Sequence, residues 1–116
     1  MAAKKKNLLG EIIISDEVIA MLAGISAMEC YGIVGMASKR ATDGIVELLG
    51  FENLTRGVKV QTQDDAVYIN LYIIVEYGIS IATVARNVIE TVKYNIENFT
   101  GMTVKRVDIT VEGIRV

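Results

Sequence analysis

Residues 58–77 read VKVQTQDDAVYINLYIIVEY, and this stretch decides the fold of the chain. Two runs rich in β-branched residues, Val58 to Gln63 and Ala66 to Tyr77, are separated only by Asp64 and Asp65. Such spacing predicts a β-hairpin, because aspartate accepts the backbone angles of a tight turn. In the second run one face carries Val67, Ile69, Leu71, Ile73 and Val75, and the other carries Tyr68, Asn70, Tyr72, Ile74 and Glu76. The first of these faces is predicted to be core.

A long amphipathic helix is predicted after the hairpin. Ser80 can cap its start, and Gly101 can end it. Its apolar positions recur at helical spacing and are Ile81, Val84, Ala85, Val88, Ile89, Val92, Ile96 and Phe99. One side of this helix should therefore pack on the sheet.

A second helix is predicted before the hairpin. The short strand Ile12-Ile13-Ile14 ends at Ser15, a good N-cap, and acidic residues follow in the first helical turn. We expect Val18, Leu22 and Ile25 to form the apolar face of the helix, with its end near Cys30.

The remaining segments complete a mixed α+β pattern. Residues 31–37 are predicted to form a short buried strand or a tight crossing close to another backbone. Residues 45–50 are predicted to form a brief helical turn, 51–57 a loop and 104–116 the last strand. The predicted order is β-α-β-(α)-β-β-α-β. It indicates a two-layer α+β fold, in which helices pack on one face of a mixed β-sheet.

The face of the sheet opposite the helices contains the candidate interface. Tyr68, Tyr72 and Ile74 are predicted to stand on it, and amphipathic aromatic residues of this kind are enriched at protein interfaces. The edge of the last strand is a second candidate, because unpaired edges readily accept another strand. An alternative is that the short helix or the N-terminal segment covers this face.

Composition indicates a single intracellular domain. The chain has 116 residues, of which 52% are hydrophobic, and it contains no proline of the kind expected in a rigid linker. Residues 1–9, with Lys4, Lys5 and Lys6, are predicted to be a basic flexible tail, and residues 10–116 a single domain. Cys30 is the only cysteine, which fits a reducing compartment, and no apolar run is long enough for transmembrane insertion. We expect a cytoplasmic protein.

The sequence lacks the usual equipment of an enzyme. It contains no histidine, which is the commonest general base and metal ligand. The pair Asp64-Asp65 is explained by the turn that it forms. We therefore predict no enzyme activity, no metal and no cofactor.

Nucleic acid binding is an alternative function. Gly32 and Gly35 bracket a GxxG pattern like the one by which KH domains hold a nucleic acid backbone, and Lys39 and Arg40 follow it. The middle residues of the pattern are apolar, however, and the net charge of the chain is −2. Both features make nucleic acid an unlikely partner.

Several segments together resemble the alkaline shock protein family of Gram-positive bacteria, known also as the envelope stress response or general stress family. The segments are ISDEVI (14–19), YGIVGM (31–36), GVKV (57–60), YIIVEYG (72–78) and VEGIR (111–115). The resemblance extends from about Gly10 to the C-terminus and rests on the order and spacing of the segments.

The resemblance implies a small non-enzymatic cytoplasmic protein that is linked to cell-envelope stress. It also implies self-association into a homo-oligomer and docking on a protein partner, such as a membrane-bound anchor that recruits it to the inner face of the membrane. It supplies no catalytic residues. A further alternative is an accessory subunit that regulates an enzyme, which would differ only in the partner.

Overall fold

The computed structural model of the chain describes residues 2–37 and 51–116. The hairpin at the start of the chain is followed by helices and strands in alternation. The elements are β1 (Ala2–Asn7), β2 (Gly10–Ser15), α1 (Asp16–Met28), β3 (Ile33–Met36), a 3₁₀ helix (Phe51–Gly57), β4 (Val58–Gln63), β5 (Ala66–Glu76), α2 (Ile81–Thr100) and β6 (Thr103–Arg115). The mixed α+β class predicted from the sequence is confirmed.

Strand β5 is the centre of the main sheet. Its first half pairs antiparallel with β4, from Val58 opposite Leu71 to Gln63 opposite Ala66, and its second half pairs antiparallel with β3. Strand β6 runs parallel to β5 along its whole length. Since a strand has only two edges, β3 and β4 share one edge of β5 and β6 occupies the other. The predicted hairpin and the mixed sheet are both confirmed.

Both helices pack on one face of this sheet. The β5 residues that were predicted to form the core are all buried there. Helix α2 adds Val84, Val88, Val92 and Ile96 to the same core, and it begins at the N-cap Ser80 and ends at Gly101 with a φ of 74°. Phe99, which was predicted on its apolar side, is exposed instead. It follows Ile96, the last buried residue of the helix.

The buried face of α1 differs from the prediction. Val18 is exposed, and the buried side consists mainly of small residues, namely Ile19, Ala20, Ala23, Gly24, Ser26 and Ala27. The reason is close packing on two neighbours. A Cβ on Gly24 would lie 3.2 Å from Leu54 Cβ of the 3₁₀ helix, and Asn95 Nδ2 of α2 donates a hydrogen bond to Ser26 Oγ at 3.0 Å.

The flexible tail predicted over residues 1–9 is wrong for most of its length. Ala2–Asn7 forms β1 and pairs with every residue of β2, from Ala2 opposite Ser15 to Asn7 opposite Gly10. Ala3 is buried against the core and attaches the strand to the domain. The three lysines that follow it give no indication of this contact in the sequence. The predicted loop at 51–57 is a 3₁₀ helix. The helical turn predicted at 45–50 lies outside the described residues.

Candidate interaction surfaces

The outer face, by which we mean the face of the main sheet opposite α1 and α2, has exposed side chains over β4, β5 and the first part of β6 when only the described residues are considered. Exposed side chains on it come from all three strands and include Lys59, Gln61, Tyr68 and Arg106. Tyr68 lies opposite Gln61 on one side and Arg106 on the other. The three strands therefore present one continuous surface with a tyrosine at its centre.

The three predicted interface residues have different surroundings on this face. Tyr68 is 38% exposed, Tyr72 is half-buried beside Thr110 of β6, and Ile74 is only 7% exposed. The expectation that Ile74 stands free on the face is therefore wrong. The pairing register shifts on both sides of this position, between Ile73 and Ile74 toward β6 and beside Gly35 toward β3. The extra residue at each shift lies in β3 or β6, and Ile73 and Val75 both join the core, so β5 keeps its alternation and Ile74 is buried on the outer face.

Tyr68 stands between two open depressions on the outer face. One of about 110 Å³ is lined by Lys59, Gln61, Tyr68, Ile69, Asn70 and Asp108. The other, of about 390 Å³, is lined by Gln61, Thr62, Gln63 and Tyr68. Both are open to solvent and lined mostly by polar residues, unlike the enclosed apolar pockets that hold small molecules. They could receive side chains from a second protein surface.

Polar contacts order the β6 side of this face. Arg106 Nε donates a hydrogen bond to Asp108 Oδ1 at 2.9 Å, and this bond together with the carboxylate charge raises the pKa of Arg106. Thr110 Oγ1 donates to Asn70 Oδ1 at 3.3 Å, which links β6 to β5. The hydrogen bond holds the guanidinium beside Asp108 on this face.

Strand β6 supplies a long edge. It spans 13 residues, and among the described strands its only pairing partner is β5. Its charged residues include Lys105, Arg106, Asp108, Glu112 and Arg115. Charges on an edge strand discourage indiscriminate pairing but permit pairing with a complementary strand.

The β1–β2 hairpin is a further exposed region, which the sequence analysis missed. Leu8 and Leu9 at its tip are fully exposed, and Ile12 and Ile13 are 56% and 58% exposed although they point to opposite faces of β2. The signal that could have revealed it is the apolar pair Leu8-Leu9 between a basic run and a β-branched run. Two strands joined by a two-residue turn are the pattern of a hairpin.

The GxxG segment has a different geometry from a nucleic acid clamp. Gly35 is buried in β3 opposite Ile74, and Gly32 is buried just before the strand with a φ of 89°. A clamp of the KH type needs an exposed loop. Lys39 and Arg40, the basic residues of that hypothesis, lie outside the described residues.

Other chemical features of the described chain are few. Cys30 is a half-buried free thiol that donates a hydrogen bond to the Ser26 carbonyl at 3.6 Å. Within residues 2–37 and 51–116, no cluster of three or more His, Cys, Asp or Glu side chains is placed to hold a metal ion. In the same part of the chain, no helix combines the length and apolar character that crossing a membrane requires.

Within residues 2–37 and 51–116, these features define a two-layer α+β domain with an exposed sheet face, a long edge strand and an exposed hairpin. Residues 4–116 match the model of the alkaline shock protein 23 family, which is described as having a cell envelope-related function. The chain belongs to this family, which confirms the resemblance seen in its sequence.

Relatives with similar sequences come from Gram-positive bacteria. The chain is 48% identical to YloU of Bacillus subtilis, over 100% of this chain and 98% of that protein. It is 40% identical to Spy1614 of Streptococcus pyogenes, over 100% of this chain and 97% of that protein. Both proteins carry the description "uncharacterized protein", so they support the family and add no activity.

Solved structures support the fold. A triple variant of MamM CTD matches with a TM-score of 0.52 at 10% identity, and covers 86% of this chain and 95% of that one. A nickel form of MamM CTD matches with a TM-score of 0.51 at 9% identity, and covers 84% of this chain and 96% of that one. At such low identity the likeness concerns the fold alone.

Proposed function

We propose that this chain is a non-enzymatic interaction module of the cell-envelope or general stress response. It self-associates through the outer face and the β6 edge, and it docks on a protein partner that recruits it from the cytoplasm to the inner face of the membrane. The observation that carries the proposal is the continuity of these two surfaces. Strand β6 borders the outer face directly, since it pairs with β5 along its whole length.

Tyr68 has the properties of an interface anchor. Its ring is partly exposed, it lies at the centre of three strands, and a depression lies on either side of it. Tyrosine is among the residues that contribute most to binding free energy when they are centrally placed and become buried. The surrounding residues are polar, as in interfaces between proteins that associate reversibly.

The β6 edge has a charge pattern that suits pairing with a second copy of itself. Two antiparallel β6 strands related by a two-fold axis at Ile109 would place Arg106 of each copy opposite Glu112 of the other. Opposite charges directly across a strand pair are stabilising, and like charges are destabilising. The axis at Ile109 is therefore favoured over one at Thr110, which would place Asp108 opposite Glu112.

The test is light scattering after size-exclusion chromatography, over a range of concentrations at physiological salt. We expect a mass of a dimer or larger that falls on dilution. Replacing Tyr68 by Ala should weaken self-association about tenfold or more, because a central aromatic anchor is lost. The matched control is Tyr94→Ala, which removes an exposed tyrosine from α2 and should leave the mass unchanged.

Two outcomes would count against the proposal. If the wild-type chain stays monomeric at the highest concentration, self-association is ruled out. Equal effects of Tyr68→Ala and Tyr94→Ala would remove the outer face as its site. The β6 register has its own test, because Arg106→Glu should weaken the assembly and the double change Arg106→Glu with Glu112→Arg should restore it.

A further inference from the structure

We propose that the β1–β2 hairpin binds directly to an anionic lipid surface. Leu8 and Leu9 enter the outer part of the bilayer, and Lys4 and Lys6 of β1 lie among the lipid headgroups. This inference is independent of self-association and of the protein partner, because the hairpin is a separate sheet from the one that carries the outer face.

The turn at the tip of the hairpin does not require the two apolar residues that form it. Two-residue hairpin turns usually contain Asn, Asp or Gly. Here the turn is stabilised by Asn7, the residue before it. Its Oδ1 accepts hydrogen bonds from Leu9 N at 2.8 Å and Gly10 N at 3.1 Å. Leu8 and Leu9 are thus free to point into the surroundings, and both are fully exposed. Two adjacent exposed leucines at a projecting tip are what insertion into a membrane interface requires.

A basic band lies behind the tip at a suitable depth. Since a strand rises about 3.3 Å per residue, Lys6 lies roughly 7 Å from Leu8 and Lys4 roughly 13 Å. Apolar segments that bind membrane interfaces enter by about 5–10 Å, which would bring the lysines to the level of the headgroup phosphates. Lysine stems can also reach along such a boundary while the ammonium group stays in water.

The base of the hairpin is attached to the body of the domain. Ala3 is buried, Lys4 N donates to the Asp64 carbonyl at 2.8 Å, and Lys5 Nζ donates to the Gly101 carbonyl at 3.3 Å. These contacts hold the first residues of β1, while the residues near the tip are exposed. The domain therefore presents the leucines on a supported arm.

The distribution of charge along the chain also favours an anionic surface as the binding partner. It determines that the hairpin, and not the rest of the domain, faces this surface. Three lysines against Glu11 give residues 1–15 a formal charge of +2, so the remainder of the chain is −4 to reach the net value of −2. An anionic membrane would attract the hairpin and repel the rest of the domain. A second copy of the chain is a poorer fit, because lysines occur on both faces of the hairpin and lysine is depleted in the core of protein interfaces.

The experiment is flotation of the full-length chain with vesicles of 70% phosphatidylcholine and 30% phosphatidylglycerol at low salt, with pure phosphatidylcholine vesicles as the comparison. We expect binding to the anionic vesicles that decreases as salt is added. Lys4→Gln with Lys6→Gln should weaken it roughly 25-fold, because each lysine near such a surface contributes about fivefold. Leu8→Ser with Leu9→Ser should weaken it by more than about tenfold.

A matched control and a change of opposite sign sharpen the test. Arg86→Gln with Lys93→Gln removes the same charge from exposed positions on α2, away from both proposed surfaces, and should change binding less than about twofold. Glu11 lies opposite Lys6, so Glu11→Gln should strengthen binding about fivefold. Thermal melts of all variants should match the wild type, since the changed side chains are exposed.

Three results would overturn the proposal. They are no binding of the wild type to anionic vesicles, equal losses in the Lys4/Lys6 and Arg86/Lys93 variants, and a leucine variant that lowers oligomer mass without affecting vesicle binding. The last result would show that a second copy covers the hairpin. Light scattering is done without lipid, so a failure of this proposal can be distinguished from a failure of self-association.

Discussion

Two triplets of β-branched residues in this molecule have the same backbone form and opposite surroundings. Ile73-Ile74-Val75 lies in β5 and is buried throughout, whereas in Ile12-Ile13-Ile14 of β2 only the last side chain approaches the core. Strand β5 has neighbours on both edges and helices above it, while β2 pairs only with β1 among the described strands. A β-branched triplet thus predicts an extended backbone, and its burial depends on the elements that surround it.

The largest expected effect on stability comes from making the same Ile→Ala substitution in each triplet. Ile73→Ala should lower the free energy of unfolding by about 2–5 kcal/mol, because its side chain is fully buried and its removal leaves a cavity. Ile13→Ala should lower it by less than about 0.5 kcal/mol, because the side chain is 58% exposed. Chemical denaturation of both variants measures the difference, and equal losses would contradict the contrast.

A smaller loss of stability is expected when alanine replaces a glycine that is surrounded by packed side chains. Gly32 and Gly78 have φ values of 89° and 91°, so alanine is strained at both. At Gly32 the added Cβ would also lie 2.6 Å from Ile79 Cδ1 and 2.7 Å from Val84 Cγ2, whereas at Gly78 it meets nothing within 4 Å. Gly32→Ala should therefore cost about 2–3 kcal/mol and Gly78→Ala about 1 kcal/mol. Similar thermal melts for the two variants would contradict this account.

The smallest effect concerns the junction between the hairpin and α1. Ser15 ends β2 and caps α1, and its Oγ accepts a hydrogen bond from Val18 N at 3.3 Å. Ser80 caps α2 in the same way, by accepting from Thr83 N at 3.3 Å. Each Ser→Ala change should cost about 1 kcal/mol of unfolding free energy. A clearly larger loss at Ser15, measured by urea titration, would mean that the hairpin and the helix depend on each other.

Sequence patterns predicted the central part of the fold well. Strands β4 and β5, the turn at Asp64-Asp65 and helix α2 agree with the structure, because alternation and helical spacing are strong there. Strand β1 was missed because three successive lysines give no alternation of apolar and polar residues. The face of α1 was misjudged because close packing selects alanine and glycine, which a search for large apolar residues overlooks.

The candidate surfaces were predicted only in part. Alternation along β5 correctly placed Tyr68 on the face away from the helices, but it did not predict that Ile74 is buried there, beside register shifts toward β3 and β6. Such shifts arise from the pairing of distant strands and leave no local pattern in the sequence. The hairpin tip was overlooked because its turn depends on the Asn7 side chain rather than on the residues within the turn.

The arrangement of strands around β5 has a consequence for synthesis on the ribosome. Strands β3 and β4 precede β5, but β6, which closes its other edge, follows only after the 20 residues of α2. A nascent chain therefore carries a β-branched strand with one open edge until residues 103–115 have emerged. Open edges of this kind are where partly folded chains aggregate, so the interval between making β5 and β6 is the period when this protein most needs protection by chaperones.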